Sequence, residues 1–125
     1  MAKRYLIDTN VIIDFSANLI PKKGSSLLSI CFDEEPIISV ITKIELLGYP
    51  LVTTEVKDLV STSLVVGLTD EIVNQTIQIR KQYKIKLPDS VIAATALTLD
   101  LILLSRNTVD FSKIKALNHL NPYKL

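Results

Sequence analysis

The chain has 125 residues, of which 48% are hydrophobic and 22% are charged. This length and composition suit one compact domain over residues 1–125, and they exclude a disordered or low-complexity chain. Fourteen Lys and Arg against thirteen Asp and Glu leave a formal charge of +1. No global field therefore commits the protein to a nucleic acid or a membrane surface, and any site for a charged ligand must be local.

Cysteine usage and hydropathy predict a cytoplasmic protein with no membrane partner. The single cysteine, Cys31, cannot form an intramolecular disulfide, and its apolar setting predicts a buried thiol. No apolar stretch approaches the roughly 18 residues of a membrane helix. The first residues also lack the basic segment and long apolar stretch that are typical of a secretory signal.

Short β-branched runs alternate with segments of helical period, which predicts an α/β fold. We expect a three-layer sandwich with a mostly parallel central sheet of four to five strands between helices. The first half predicts a strand at 5–7, a helix at 10–15, a connection at 21–25, a helix at 26–32, a strand at 36–39 and a helix at 40–49. The second half predicts a helix at 53–63, a strand at 64–68, helices at 69–83 and 86–100, a strand at 101–105 and a weak edge strand at about 116–120. The helix at 69–83 is the clearest amphipathic one, with Ile72, Val73 and Ile77 on its inner face.

Acidic and amide side chains follow several of the predicted strands. Asp8 comes directly after the first strand, and Glu45 lies on the helix that follows the second. Asp89 opens the helix at 86–100, and Asn107 with Asp110 follows the last strong strand. Because ligands of parallel α/β sheets gather beyond the carboxyl ends of the strands, we expect these side chains to meet at one edge.

Simpler interpretations exist for most of these residues taken singly. Asp8 and Asp89 each suit a helix N-cap, which stabilises a helix by roughly 0.5–2 kcal/mol. Asn107 and Asp110 suit a turn. Glu45 is different, because it lies in a short and mostly apolar helix. A solvated surface position explains it only if one face of that helix is exposed to water. The argument for a site therefore depends on the whole set.

Converging carboxylates raise one another's pKa unless a cation neutralises them. Oxygen ligands without Cys or His nearby favour Mg²⁺ or Mn²⁺ over Zn²⁺. We expect the only histidine, His119, to be a surface residue far along the chain. A metal held by carboxylates suits phosphodiester hydrolysis, whereas the lack of a glycine-rich phosphate loop argues against nucleoside triphosphate binding.

Four segments, "LIDTNVIID", "ISVITKIELL", "LPDSVIAATAL" and "LLSRNTVDF", occur in this order over nearly the whole chain. Together they resemble the motif set of PIN domains, and the compact length resembles the VapC-type toxin branch. The resemblance implies a Mg²⁺- or Mn²⁺-dependent endoribonuclease that acts on RNA. It also implies a homodimer, and a small antitoxin whose C-terminal segment enters the active-site groove.

The resemblance assigns roles to individual positions. Asp8, Glu45 and Asp89 match the three acids of the family, with Asp8 and Asp89 as the most direct metal ligands and Glu45 binding directly or through water. Thr9 and Asn10 match the small polar pair that holds the loop and hydrogen-bonds Asp8.

Further positions match less completely. Ser39 and Ser105 match hydroxyl positions near the strand ends, where they would support the ligands. Asn107 stands where the family often has a fourth acid, and an amide supplies oxygen without charge. Either Asp110 replaces that acid or a second metal binds weakly, so the number of metal ions stays open.

Cations near the expected edge are candidates for RNA binding. Lys43 lies on the Glu45 helix, and Arg106 precedes Asn107. Lys84 and Lys86 flank the groove or simply form a solvated turn. Phosphate contacts of this kind give affinity without sequence choice. We expect Asp14 to face solvent.

Two other classes of function compete with metal-dependent cleavage. The first is a PIN-like scaffold that binds RNA or a protein without cutting, for which Asn107 is the motive. The second is a phosphoacceptor signalling domain, which needs an acceptor acid after a middle strand, and the nearest acid after residues 64–68 is Asp70. Exposed apolar residues at 49–52 are candidates for a dimer or antitoxin surface.

Overall fold

The computed structural model of the protein describes residues 3–125. Its sheet has five parallel strands in the order β3-β2-β1-β4-β5, so the first strand lies at the centre. The strands are short: β1 (Tyr5–Ile7), β2 (Ile37–Ser39), β3 (Leu64–Val66), β4 (Ile102–Leu104) and β5 (His119–Leu120). The predicted α/β sandwich with a parallel sheet is confirmed.

Seven helices cover the sheet within residues 3–125. They are α1 (Thr9–Ser16), α2 (Lys22–Asp33), α3 (Val40–Leu47), α4 (Thr54–Ser61), α5 (Asp70–Gln82), α6 (Leu87–Leu99) and α7 (Thr108–Phe111). In this part of the chain, every helix is too short or too polar to cross a membrane.

Strand residues alternate between two apolar cores, one on each face of the sheet. Leu6 and Leu103 pack with α5 and α6, whereas Ile7 and Leu104 pack with the first four helices. Successive side chains of a strand point to opposite faces, so each strand contributes to both cores. Cys31 lies in the second core as the predicted buried free thiol, and burial raises its pKa to about 11.

Two helices begin directly at the carboxyl ends of central strands. Asp8 is the N-cap of α1 after β1, and Ser39 is the N-cap of α3 after β2. The Ser39 hydroxyl accepts the Ile41 N–H at 3.1 Å, which satisfies one of the unpaired donors of the first helical turn. Gly48 follows α3 as its C-terminal cap, so the helix ends two residues before the predicted bound at 49. Both helices thus start at the edge where the sequence places its acids.

The inner face of α5 differs from the predicted one. Ile72, Thr76 and Ile79 are buried, whereas Val73 and Ile77 are exposed. Thr76 can occupy the buried face because its hydroxyl donates to the Ile72 carbonyl oxygen at 2.7 Å. A polar residue on the buried stripe hid the true face from the hydrophobic pattern.

Other boundaries also required correction. Helix α2 begins at Lys22, within the predicted connection, because Pro21 serves as its N-cap. The predicted strand at 64–68 ends at Val66, and the tail strand consists of two residues. His119 lies in that strand and is half-buried instead of a free surface residue. Residues 108–111 form one helical turn where a turn of the chain was expected.

Strand order excludes the phosphoacceptor interpretation. Asp70 follows β3, which is an edge strand, and it is exposed at the start of α5. The acid that follows the middle strand is Asp8, so an acceptor at Asp70 would lie away from the centre of the carboxyl edge.

Candidate active site

Asp8 is a buried carboxylate at the end of the central strand, with 7% of its surface exposed. One carboxylate oxygen accepts the Ser105 hydroxyl at 2.7 Å, and the other accepts the Thr9 N–H at 2.9 Å. Burial raises the pKa of Asp8, and these two hydrogen bonds act in the opposite direction by favouring the ionised form. Asp8 is therefore both the cap of α1 and a carboxyl group held in place at the sheet edge.

Glu45 reaches the same edge from α3 through a threonine pair. The Thr9 hydroxyl donates to Glu45 Oε1 at 2.6 Å, and it lies 3.2 Å from the Thr42 hydroxyl. Thr42 is fully buried one helical turn before Glu45. Glu45 itself is exposed, so α3 does have a wet face. The contact ties the carboxylate of α3 to the first residue of α1.

Asp89 lies in the first turn of α6 and feels the other acids directly. Burial, and after it the negative charges of Asp8, Asp110 and Glu45, together raise its pKa to about 6. This electrostatic coupling indicates that the four carboxylates share one region, although they come from four separate segments of the chain.

Asn107 lies between two of the acids. Its amide nitrogen lies 3.4 Å from an Asp89 carboxylate oxygen and 3.2 Å from one of Asp110. Its amide oxygen accepts the Asp110 N–H at 3.3 Å as the cap of α7, and this bond fixes the orientation of the amide. Hydrogen bonds from Asn107 and Lys113 hold the pKa of Asp110 below its usual value. Of the two residues, only Asp110 offers carboxylate oxygens, and each of them accepts a hydrogen bond, one from Asn107 and one from Lys113.

The donor set suits a hard divalent cation in its chemistry. All candidate ligands are carboxylate oxygens, and one of them is buried with a hydrogen bond that orients it. Within residues 3–125, no three His, Cys, Asp or Glu side chains already surround one point at ligand distance. The acids are thus neighbours that repel one another, and a cation would remove that repulsion.

The remaining predicted support residues have unequal positions. Ser105 contacts Asp8 directly, and its hydroxyl also accepts the Asn107 N–H at 3.0 Å. Ser39 is buried as the cap of α3 and makes no hydrogen bond to the described acids. Asn10 is exposed, and its side chain has no hydrogen-bond partner among residues 3–125, so the expected bond from Asn10 to Asp8 is wrong.

The structure separates the predicted RNA-binding cations. Lys43 lies in a groove with Leu47 and Lys57 that contains none of the site acids. Two residues along a helix turn through about 200°, so Lys43 and Glu45 point to nearly opposite sides of α3, and its expected position beside the acids is wrong. Arg106 lies near the site, as shown by the effect of its positive charge on the pKa of Asp8, which it lowers.

A basic groove of about 530 Å³ opens beside Asp110. Lys84 and Lys86 line it together with Arg80 and Tyr83. The positive charge of Lys86 acts on both Asp89 and Asp110. Lys86 therefore lies close enough to act on the site acids, and Lys84 lines the same groove.

Sequence reasoning missed one cluster beside the site. Asp14 was expected to face solvent, but its side chain is only 15% exposed and contacts Arg106 and Tyr123. Tyr123 lies 109 positions further along the chain, so no local pattern connects the two. Thr42 was missed as well, although its place one turn before Glu45 was a usable signal.

Comparison with known families decides what this arrangement belongs to. A family model described as the PIN domain matches residues 5–117, which is most of the chain. The chain belongs to the PIN-domain family. The resemblance inferred from the four motifs is thereby confirmed. PIN domains are generally metal-dependent nucleases, in keeping with an edge lined by carboxylates.

Solved structures of toxin–antitoxin complexes contain chains with the fold of this PIN domain. A chain of a toxin–antitoxin complex from Klebsiella pneumoniae is 30% identical, and the match covers 97% of this chain and 99% of that chain with a TM-score of 0.77. For VapBC-1 from nontypeable Haemophilus influenzae the identity is 26%, the coverage 96% and 98%, and the TM-score 0.76. FitAcB from Neisseria gonorrhoeae, at 24% identity with coverage of 97% and 99% and a TM-score of 0.76, shows the fold alone. No curated protein matches the chain.

Proposed function

We propose that this PIN domain is an endoribonuclease that hydrolyses RNA phosphodiester bonds with Mg²⁺ or Mn²⁺ held by Asp8, Glu45 and Asp89. The observation that carries the proposal is the electrostatic coupling of Asp89 with three other carboxylates at the end of the central strand. Such an edge is unfavourable by itself and becomes favourable around a cation. Membership of a family of metal-dependent nucleases supports the same conclusion.

The residues of the chain divide the work between ligation and orientation. Asp8 and Asp89 are the most direct ligands, and Glu45 completes the set while the Thr9 hydroxyl holds it. Ser105 fixes the Asp8 carboxylate through its hydroxyl. A cation bound there would supply positive charge that lowers the pKa of a coordinated water and offsets the charge that develops on the phosphoryl group.

Asp110 takes the place of the missing fourth acid in this proposal. The Asn107 amide oxygen is occupied by the Asp110 N–H, whereas its amide nitrogen can only donate. Asn107 therefore orients Asp89 and Asp110, and its amide oxygen, with one lone pair used by the Asp110 N–H, would be at most a neutral ligand. One firmly bound cation, with any second site dependent on Asp110 and the RNA phosphate, fits this arrangement better than two equal sites.

RNA is the proposed substrate because cations flank the acids. Lys84, Lys86 and Arg80 line the groove beside Asp110, and Arg106 lies on the Asp8 side. Positive charge on both sides suits a phosphate backbone that crosses the acids. A cytoplasmic location, where RNA is available, is part of the same proposal.

A metal titration of RNase activity tests the proposal. We expect cleavage of a mixed RNA substrate to require Mg²⁺ or Mn²⁺ and to stop in EDTA. Asp8→Asn should lower kcat by about 100-fold or more, since metal catalysis contributes several kcal/mol. Asp58→Asn, an exposed acid on α4, is the control and should cut normally. Asn107→Asp should raise affinity for the metal, because it adds a charge beside Asp89 and Asp110.

Two results would contradict cleavage. A folded Asp8→Asn protein that cuts RNA at the wild-type rate in Mg²⁺ would remove the metal site from the mechanism. Wild-type protein that binds RNA but neither cuts it nor takes up Mn²⁺ in calorimetry would establish the scaffold alternative.

We also propose a small antitoxin as the partner of this chain. A groove of about 320 Å³ lies between α1, α3 and α4, and it is mostly apolar. Tyr49, Leu51 and Val52 line it, and Leu51 is 75% exposed. Glu45 lies in the same groove, so an occupant would extend to the site acids. Structural relatives from toxin–antitoxin complexes support an antitoxin as that occupant.

A further inference from the structure

Arg106 is held by two residues that the proposed chemistry does not use. Its guanidinium lies 3.3 Å from an Asp14 carboxylate oxygen and stacks over the Tyr123 ring at 5.5 Å from the ring centre. The Tyr123 hydroxyl donates to that same Asp14 oxygen. The three side chains form a closed cluster, which we call the arginine clamp.

The arginine clamp is built on well-fixed backbone. Arg106 follows Ser105, whose N–H donates to the Leu120 carbonyl oxygen at 3.1 Å and whose hydroxyl contacts Asp8. Tyr123 follows Pro122, which is buried and packs closely on Gly24 of α2. The segment after β5 thus carries the tyrosine ring to a defined place beside α1.

The side chains of the clamp differ in how much of their surface is exposed to solvent. The Asp14 side chain is 15% exposed, whereas Arg106 is 56% exposed. A guanidinium has five N–H donors, and only one of them is used by a described residue. The carboxylate and the ring contact the guanidinium, its other donors have no partner among the described residues, and its charge acts on Asp8.

We infer that Asp14 and Tyr123 are positioning residues that hold Arg106 so that its free guanidinium edge binds a phosphate of the RNA backbone. The inference depends on the proposed RNA substrate and adds to it a named phosphate contact with its support. An exposed arginine alone would lose side-chain entropy on binding. The clamp removes much of that loss before RNA arrives, so the contact is preorganised.

The competing interpretation is a purely structural one. In that case the three residues tie the segment after β5 to α1, and RNA never contacts Arg106. Both interpretations expect some loss of stability from substitution, so stability cannot separate them. They differ in whether the contribution of Tyr123 to RNA binding disappears once Arg106 has been removed.

A double-mutant cycle on RNA binding and cleavage is the test. The variants are Tyr123→Phe, which keeps the ring and removes the hydroxyl donor, Arg106→Ala, and the double variant. Tyr5→Phe is the matched control, because Tyr5 lies on β1 and outside the arginine clamp. The first measurement is the Kd for a short, fluorescently labelled single-stranded RNA in EDTA, where nothing is cut. The second is KM and kcat in Mg²⁺ by steady-state cleavage.

We expect Tyr123→Phe to raise Kd and KM by about threefold to tenfold and to leave kcat within about twofold, the size of one lost hydrogen bond. In the Arg106→Ala background the same change should have no further effect. Arg106→Ala should also reduce the slope of log Kd against log salt by about 0.7, as expected for one phosphate contact to a single strand. Arg106→Lys should recover the slope but not the full affinity, since it keeps the charge and loses the planar stack.

The outcomes separate the clamp from the nuclease. Cleavage by the wild type with unchanged Kd and KM in Tyr123→Phe and Arg106→Ala overturns the clamp alone. Equal losses from Tyr123→Phe in both backgrounds also overturn it, in favour of the structural tie. Clamp-dependent RNA binding without any cleavage keeps the clamp and removes the nuclease. A wild type that neither binds nor cuts RNA overturns both.

Discussion

Asp89 carries an electrostatic conflict that makes stability depend on pH. Its pKa is about 6 in the folded protein, against an ordinary value of 3.8, because of burial and the neighbouring acids. Between these two pH values the folded state binds more protons than the unfolded state, so stability falls as pH rises. The loss is absent below about pH 4 and complete above about pH 6.

Asp89→Asn should therefore stabilise the metal-free protein at neutral pH. We expect a gain of about 1 kcal/mol after discounting the shift for partial solvent screening. Urea unfolding in EDTA over a series of pH values measures it, with Asp58→Asn as the control. The gain should vanish below about pH 4 and reverse in Mg²⁺, where the wild type binds the metal and the variant does so poorly. A variant whose pH profile runs parallel to that of the wild type would refute the conflict.

At the scale of single residues, the sequence reveals a role when the partners are set by topology. Asp8 and Asp89 could be predicted to approach one another because both follow or open elements at one sheet edge. The direction of Lys43 could not be predicted. It lies two residues from Glu45 on α3, on nearly the opposite side of the helix, and the sequence alone does not show which side of α3 is exposed. Asp14 escaped prediction because Tyr123 reaches it from the other end of the chain.

Helix α2 and the segment after β5 meet at a glycine. A methyl group at Gly24 would overlap the Pro122 carbonyl oxygen and press on Ile20. Gly67, after β3, has no atom within 4 Å of the place where a Cβ would stand. The two glycines therefore form a matched pair for one substitution.

Gly24→Ala should lower the free energy of unfolding by about 1–3 kcal/mol, the usual cost of overpacking. Gly67→Ala should leave it unchanged or raise it by up to about 1 kcal/mol, because it reduces the entropy of the unfolded chain at a position with open space. Denaturant unfolding of both variants is the measurement. Equal stability of the two variants would mean that the contact with Pro122 is unimportant.

Helices and strands were predictable where the hydrophobic pattern of the segment is uniform. The strand at 5–7 and the helix at 86–100 combine uniform apolar character with clear breakers, and both appear within about one residue of their predicted bounds. Helix α2 began early because a proline that breaks a helix also starts one. The face of α5 was wrong because Thr76 satisfies its hydroxyl within the helix and so behaves as a core residue.

At the scale of the whole molecule, the apolar groove beside Glu45 is a candidate surface for two kinds of assembly. An antitoxin surface and a homodimer surface are both consistent with exposed Leu51. The substitution Leu51→Asp places a charge in the groove, and Leu19→Asp places one at a residue that is 66% exposed and outside it. The pair isolates the groove from general effects of surface charge.

We expect Leu51→Asp to weaken binding of the proposed antitoxin by about tenfold or more, since one buried leucine contributes roughly 1.5–3 kcal/mol. Leu19→Asp should bind normally. Co-expression and titration of the purified pair give the affinities, and light scattering gives the mass of each chain alone. A change in that mass with Leu51→Asp would assign the groove to the homodimer and contradict the antitoxin proposal.

The strand order determines how late during translation the site can form, because β1 pairs with a strand far downstream. A ribosome that has reached Pro88 has made Asp8 and Glu45, but it has not made Asp89, or the Ser105 that bonds Asp8, or the β4 strand that pairs with β1. The central strand thus waits for a neighbour almost a hundred residues downstream. At that stage of translation the chain contains two of the three proposed metal ligands at an incomplete sheet edge. The proposed cleavage of RNA can therefore begin only after β4 and Ser105 have been synthesised.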